Sequence, residues 1–441
     1  MTASSPPGVT ESGQTQSRAA RIAVIFCLIL AGEAVFSLPF HVSRYFRATT
    51  LDVFGFSNAQ LGDVFAVYGV AAMIAYFPGG TIADHFSPRR LIAMSLVATG
   101  AGGLYMATIP GAAGMAALYG YWGVTTILLF WAAMIRATRE WGGTSSQGLA
   151  FGILDGGRGA VAAVMASAAA LLFTLLMPEQ SELLGPDERR AALQSVIYFY
   201  SAMTVGVGLF CWFAIPEPES GTRVAHDNPM RGMAKVLRTP AVWGQAVVVV
   251  CAYCGYKGLD NYSLYAVQVL GMDEAEAAQF TAATAYIRPI AAVAAGFLAD
   301  RVTARNVIAL LFTILVFSYG MLWQLAPSPE LQFILYANIF VSFAGVFGLR
   351  GVYFALLEET RVPRSRTGAA VGLVSVVGYT PDVFYAPIAG RILDRSPGIV
   401  GHQHNFLLLA AIAATGCLVV LALRHLTPDR DDEASSTSAL R

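Results

Sequence analysis

Apolar runs of bilayer length recur through the whole sequence, and they decide what it can fold into. A helix of about 20 apolar residues crosses the hydrocarbon core. Twelve such runs are legible, near 22–42, 58–83, 91–110, 113–136, 148–176, 194–214, 241–270, 275–299, 307–325, 330–357, 367–393 and 401–424. In hydrocarbon every backbone polar group needs an internal partner, so these runs predict an all-α membrane protein with twelve transmembrane helices. Several runs exceed the minimum length, which implies tilt or kinks. Charged residues make up 13% of the chain, about half of what soluble domains carry. The formal net charge is zero, so the lipid bilayer and a small-molecule substrate are the expected partners, and nucleic acid is not.

Residues 1–20 are rich in Ser, Gln and Pro and read as a disordered tail. No small-residue cleavage site follows the apolar run that begins at Ile22, so that run is expected to stay as an uncleaved helix. With the N-terminus inside, the inner loops hold 18 of the 28 basic residues, among them Arg89, Arg90, Arg136, Arg139, Arg301, Arg305 and Arg361. Six fall in outer loops, namely Arg44, Arg47, Arg189, Arg190, Arg391 and Arg395. This bias predicts an inner-membrane protein with both termini cytoplasmic. The remaining four, Arg158, Lys257, Arg288 and Arg350, lie inside spans.

One unit is used twice. "GGTIADHFSPRRL" (79–91) follows the second run and "AGFLADRVTARNV" (295–307) follows the eighth. Gly80, Asp84 and Arg89 in the first copy match Gly296, Asp300 and Arg305 in the second, at an offset of 216 residues. The glycine would let helices approach closely, and the aspartate and arginine would clasp in one conformation and part in another. A polar, proline-bearing segment, 215–240, divides the chain into six-helix halves at 21–214 and 241–425, with a second tail at 426–441. Parallel duplication of this kind is an arrangement that transporters use.

These motifs resemble the major facilitator superfamily, whose signature after the second span is Gly-x-x-x-Asp followed by basic residues. The likeness covers essentially the whole chain outside the tails, although His85, Ser87 and Pro88 replace residues common in the signature. A narrower likeness, carried by "GFSNAQLGDVFAVYG" (55–69), "YKGLDNYSLYAV" (256–267) and "TGAAVGLVSVVGYTPDVFYAPIAGRILD" (367–394), is to the organophosphate:phosphate antiporter branch. That branch clamps phosphate with arginines on its first and seventh helices. The resemblance implies a seventh-helix counterpart near Lys257, whereas "LAGEAVFSLP" on the first helix offers Ala31 and Glu33 and no arginine. Drug:proton antiporters of the superfamily carry a Gly- and Pro-rich signature on the fifth helix. Here the glycines stand without the proline and with an added charge pair, which counts against a drug pump.

The charges inside the spans are the candidate site. Each costs about 2.5–3.5 kcal/mol at mid-bilayer even on insertion scales, so each should face a cavity or a partner. Glu33, Arg158, Arg288 and Asp382 fall near mid-depth, Lys257 and Asp260 nearer the outer side and Arg350 nearer the inner side. On the fifth helix Gly148, Gly152, Asp155, Gly156 and Gly159 share a face suited to close packing, with Arg158 at its edge. Asp155 and Arg158 either brace the first half as a self-contained bridge or hold substrate. Tyr253, Tyr256, Lys257, Asp260 and Asn261 form a polar stripe on the seventh helix, suited to a polar solute in a wet cavity. Tyr379 and Asp382 face one way on the eleventh, near Pro381 and Pro387.

Arg288 is either an anion ligand or a partner of Asp260 or Asp382. Arg350 shares a face with Phe343, Phe347 and Phe354, which makes a cation–π brace credible. Glu33 sits among apolar residues, where a carboxylate suits proton coupling; Asp155 is the second candidate, and Glu33 could equally be the silent partner of Arg158 or Lys257. None of the six histidines lies mid-span, so coupling would use carboxylates. The five cysteines, including "CAYC" at 251–254, read as packing residues rather than metal ligands. No metal or cofactor is expected, and without a Walker-type P-loop ATP is not the expected energy source. The predicted protein is a monomeric secondary transporter of a small polar, anionic organic solute, driven by a proton gradient or exchange. A membrane solute sensor on the same scaffold is the alternative; no constellation of His, Ser or metal ligands within the spans points to an enzyme.

Overall fold

The computed structural model describes residues 18–143, 147–176, 185–217, 236–359 and 367–426. The linker positions 218–235, most of both tails and the arginines at 361, 364 and 366 therefore lie outside the described residues. The first half consists of α1 (Arg18–Tyr45), α2 (Asn58–His85), α3 (Pro88–Met106), α4 (Ala112–Gly142), α5 (Gln147–Leu176) and α6 (Pro186–Ala214). The second consists of α7 (Pro240–Gly258), α8 (Glu274–Arg301), α9 (Ala304–Gln324), α10 (Gln332–Val352), α11 (Thr367–Gly378 continued by Pro381–Arg395) and α12 (Ile399–Leu426). Ten of these are long and apolar enough to cross a membrane by composition alone. In α3 the arginine pair at 89–90 lowers the hydropathy, and in α7 Gln245, two tyrosines and Lys257 do so.

Each half builds its own core. Tyr119, Trp122, Phe130 and Phe173 are fully buried in the first, and Phe312, Tyr319 and Tyr385 in the second. Ala278 and Ala282 of α8 pack into the first core, so the halves share apolar contact there.

Several helices depart from regular α geometry near the site, among them α4, which is π-helical over Val124–Trp131. Pro39 has no N–H to give the carbonyl four residues back, and α1 widens into a π-helical turn over Ser37–His41. Tyr119 donates its hydroxyl to the Pro39 carbonyl at 2.8 Å, fixing the bulge against α4. α7 ends at Gly258 and passes through a 3₁₀ turn, Leu259–Asn261, into the short helix Tyr262–Gln268. α8 is interrupted between Thr284 and Ile287, just before Pro289, and α11 between Gly378 and Pro381.

The two termini of the bundle lie at one end. Among the described residues, the hydrogen bonds and ion pairs joining the halves lie at mid-depth or toward the opposite, far end. There α2 and α11 touch backbone to backbone: a Cβ on Gly62 would meet the Ala386 carbonyl, one on Gly390 the Asn58 carbonyl, and one on Gly69 the Asp382 carbonyl carbon at 2.6 Å. Asp394 accepts from the backbone N–H groups of Asn58 (3.0 Å) and Ala59 (2.8 Å), capping the far-end N-terminus of α2 from the other half. Arg391 and Asp63 form a bidentate pair beside it, at 2.8 and 3.1 Å.

At the termini end the helices splay, and this corrects two expectations. Nothing lies within 4 Å of a Cβ placed on Gly80, Gly296, Gly152 or Gly156, so neither the repeated-motif glycines nor these two of the α5 face make a close helix contact; the side of Gly148 lies outside the described residues. On α5 the packed glycines are Gly157, against Ile29, and Gly159, against Arg288 and Pro289. Arg44 and Arg47, expected in an outer loop, are instead buried, because α1 runs on to Tyr45 and the short helix Arg47–Phe54 folds back beneath the far end.

Candidate functional site

The splayed end opens into a cavity between the halves, about 820 Å³ when the open solvent at its mouth is included. α1 supplies Glu33, Phe36, Phe40 and His41; α2 supplies Tyr68 and Tyr76; α4 and α5 supply Trp131 and Arg158. From the second half come Tyr253, Tyr256 and Lys257 of α7, Arg350 of α10, and Tyr379 and Asp382 of α11. The breaks in α1 and α11 place His41, Tyr379 and Asp382 at this wall.

The buried charges form two groups. In the first, Glu33 is the hub, 3% exposed. Arg288 donates through Nη1 to both its oxygens at 3.2 Å, Arg158 Nε lies 3.5 Å away, and His41 Nε2 lies 3.3 Å away. Arg158 also donates to the Gly32 carbonyl at 3.0 Å, and a Cβ on Gly32 would collide with its Cδ at 2.8 Å. That glycine gives the guanidinium its path to Glu33. Asp155 completes the group at 3.7 Å from Arg158 and 3.8 Å from Arg288, with its side chain 51% exposed.

The second group lies toward the far end. Arg44 donates through Nε to Asp260 at 2.6 Å, and Lys257 Nζ bridges Asp260 (3.3 Å) and Asp382 (3.4 Å). Tyr253 donates to both Asp382 oxygens at 3.1 and 3.2 Å. Lys257 also lies over the Phe40 ring at 4.3 Å, joining the halves by a cation–π contact. Paired in this way, charges at bilayer depth avoid most of the cost of standing alone.

Of the residues expected to bind substrate, Arg158, Tyr253, Tyr256, Lys257, Tyr379 and Asp382 line the cavity together, as does Glu33. Arg288, Asp260 and Asn261 are buried behind that wall. Arg288 finds Glu33 and Asp155 rather than Asp260 or Asp382, and Asp155 and Arg158 are not a self-contained bridge, because Glu33 and Arg288 share it. Glu33 is not alone among apolar groups, and the hydroxyl- and ring-bearing lining from Tyr68, Tyr76, Phe36 and Trp131 was not anticipated. The i, i+8 spacing of Tyr68 and Tyr76 on one face of α2 is the signal that could have found part of it. His41, near the end of its predicted span, reaches Glu33 because the π turn carries it inward.

At the termini end, neither Asp84 with Arg89 nor Asp300 with Arg305 forms an ion pair. Arg89 and Arg90 meet Glu217 at 3.7 and 2.8 Å, and Arg305 meets Glu359 at 3.7 Å. The expected clasps within each motif are thus apart in this conformation. Among the described residues no cluster of His, Cys, Asp and Glu could hold a metal ion, and the five cysteines are free.

The sequence profile described as the Major Facilitator Superfamily matches residues 22–384. The chain is 27% identical over 425 residues to "Inner membrane protein YihN" of Escherichia coli (strain K12), covering 95% of this chain and 98% of that one. It is 24% identical over 332 residues to "Probable nitrate/nitrite antiporter NarK1" of Thermus thermophilus, covering 75% and 71%. In fold it is similar to a bacterial homologue of the human lysosomal transporter Spinster, solved in an inward-facing, unoccupied conformation, with a TM-score of 0.70 at 15% identity, covering 94% of this chain and 98% of that one. Twelve helices in this arrangement and a profile match over most of its length establish that the chain belongs to the Major Facilitator Superfamily, a family of multi-pass membrane transporters rather than enzymes.

Proposed function

We propose that this protein is a secondary active transporter carrying a small polar organic anion across the inner membrane by alternating access. The observation that supports this best is the central cavity, sealed at one end, open at the other and lined by Arg158, Lys257 and Arg350 beside tyrosine hydroxyls. Fixed cations in a low-dielectric cavity attract an anion far more strongly than they would in water. The arginine bias puts both termini in the cytoplasm, so the open mouth faces inward. The name of the Thermus thermophilus relative, a probable nitrate/nitrite antiporter, agrees with an anionic solute.

In this reading Tyr253, Tyr256, Lys257, Tyr379, Asp382 and Arg158 contact substrate, and Asp260, Asn261 and Arg288 position them from behind. Glu33 and Asp155 are the carboxylates available for proton coupling, with His41 in contact with Glu33 as a third protonatable group. Asp84, Arg89, Asp300 and Arg305, beside Gly80 and Gly296, gate the inner end by re-forming their clasps when the cavity turns outward. Calorimetry on the purified protein tests the anion claim, with organic monocarboxylates and sulfonates set against neutral polyols of matched size. Anions should bind at least tenfold more tightly, and Lys257→Gln should weaken them about tenfold. Equal affinity for the neutral polyols would refute the anionic assignment.

A further inference from the structure

The two charge groups are each neutral, and of the three cations on the cavity wall, Arg158, Lys257 and Arg350, that leaves one over; Arg47, also buried, lies off that wall and donates to Asn58 instead. Glu33 and Asp155 balance Arg158 and Arg288, and Asp260 and Asp382 balance Arg44 and Lys257. Arg350 enters the same cavity from α10 and makes no ion pair among the described residues. Asp155 acts on it only from beyond contact distance. Its guanidinium carbon lies over the Tyr256 ring, 3.8 Å from the centroid, while that of Arg44 lies over the same ring at 4.6 Å. Its Nη1 is buried and has no hydrogen-bond partner. A guanidinium held in place by an aromatic face, with a buried N–H to spare, is preorganised to donate to an anion.

We propose that Arg350 is the anion anchor of the cavity, and that the substrate carries a single negative charge. This deepens the transport reading above and rests on it. The charge count at the cavity wall makes the second half of the claim: one unmatched guanidinium there is neutralised by one anionic group, whereas a dianion would leave a net negative charge at the wall. The rest of such a solute meets tyrosine hydroxyls and the rings of Phe36 and Trp131, which suit a neutral polar or partly apolar body.

Arylglyoxals attack free guanidinium groups and are slowed where the group is paired, so side-chain reactivity reads the assignment without the substrate being known. The wild-type protein in detergent would be treated with p-hydroxyphenylglyoxal and each arginine scored by peptide mass spectrometry, with sodium nitrate, gluconate or sulfate present at matched ionic strength. Arg350 should react at least tenfold faster than Arg44, Arg158 or Arg288, and nitrate or gluconate should slow it at least threefold, with sulfate the weaker protector. Equal reactivity of the four arginines, or no protection by either monoanion, would remove Arg350 as the anchor. Stronger protection by sulfate would remove the single-charge claim. Neither failure touches anion selectivity in the calorimetry above, so the two readings fall separately. Arg350→Gln provides the control: it strands no carboxylate, so it should fold as the wild type does, and nitrate, expected to raise the melting temperature of the wild type, should no longer raise that of the variant.

Discussion

A single side chain, Glu33, joins three helices and both halves, and its removal should be felt accordingly. Glu33→Gln leaves Arg158 and Arg288 sharing one half-exposed carboxylate, and uncompensated buried charge typically costs about 3–5 kcal/mol. Asp155→Asn removes a group whose side chain is 51% exposed, so its effect should be well under half of that. Thermal unfolding in detergent checks the order: a large fall in Tm for the first, a small one for the second, and partial recovery in Glu33→Gln/Arg158→Gln. Equal shifts would mean that Glu33 is not the hub. The charged members of this site were legible because an ion inside an apolar run stands out. Their pairing was not, since Glu33 and Arg288 are 255 residues apart and several partner choices balance the same charges. Arg44 was missed because it sits at the end of an apolar run, where a helix and a loop look alike. Phe36, Tyr68, Tyr76 and Trp131 were missed in the lining because Phe, Tyr and Trp are ordinary in any span.

Among the elements, α2 and α11 depend on glycine for their contact. Gly62, Gly69 and Gly390 each face backbone of the other helix, which cannot swing aside as a flexible side chain can. Gly69→Ala and Gly390→Ala should therefore wedge the far end open. The check is labelling by a membrane-impermeant maleimide at Ser263→Cys, a far-end position only 2% exposed, with the five native cysteines replaced. Labelling should rise severalfold in either glycine variant; unchanged labelling would mean that the contact is not needed for closure. The twelve helices were legible from hydropathy because the bilayer sets their length. Which glycines pack was not, because Gly80 and Gly296 occupy the end that is splayed in this conformation, and spacing alone carries no conformational state. The breaks before Pro289 and Pro381 were marked by their prolines, while the 3₁₀ turn after Gly258 had no such sign.

On the scale of the molecule, the far end is closed by polar contacts that must part if the cavity is to open there. Asp394 caps α2 across the halves, and Arg391 pairs with Asp63 beside it. Losing a helix cap costs about 0.5–2 kcal/mol, a range that shifts a two-state equilibrium severalfold without unfolding either half. Asp394→Ala should accordingly favour the far-end-open state, read as a longer mean distance between spin labels on the far ends of α2 and α11; an unchanged distance distribution would show that the cap is not part of the closure. The duplicated motif and the polar segment between the halves made this two-part architecture legible, but not which end would be shut. The central claim, that such a molecule uses a gradient to move an anion, is tested most directly by uptake into proteoliposomes holding the purified protein. With a pH gradient imposed, or a counter-anion loaded inside, a monocarboxylate or sulfonate should accumulate above its external concentration while neutral polyols do not. Equal, downhill-only flux of both would contradict the account.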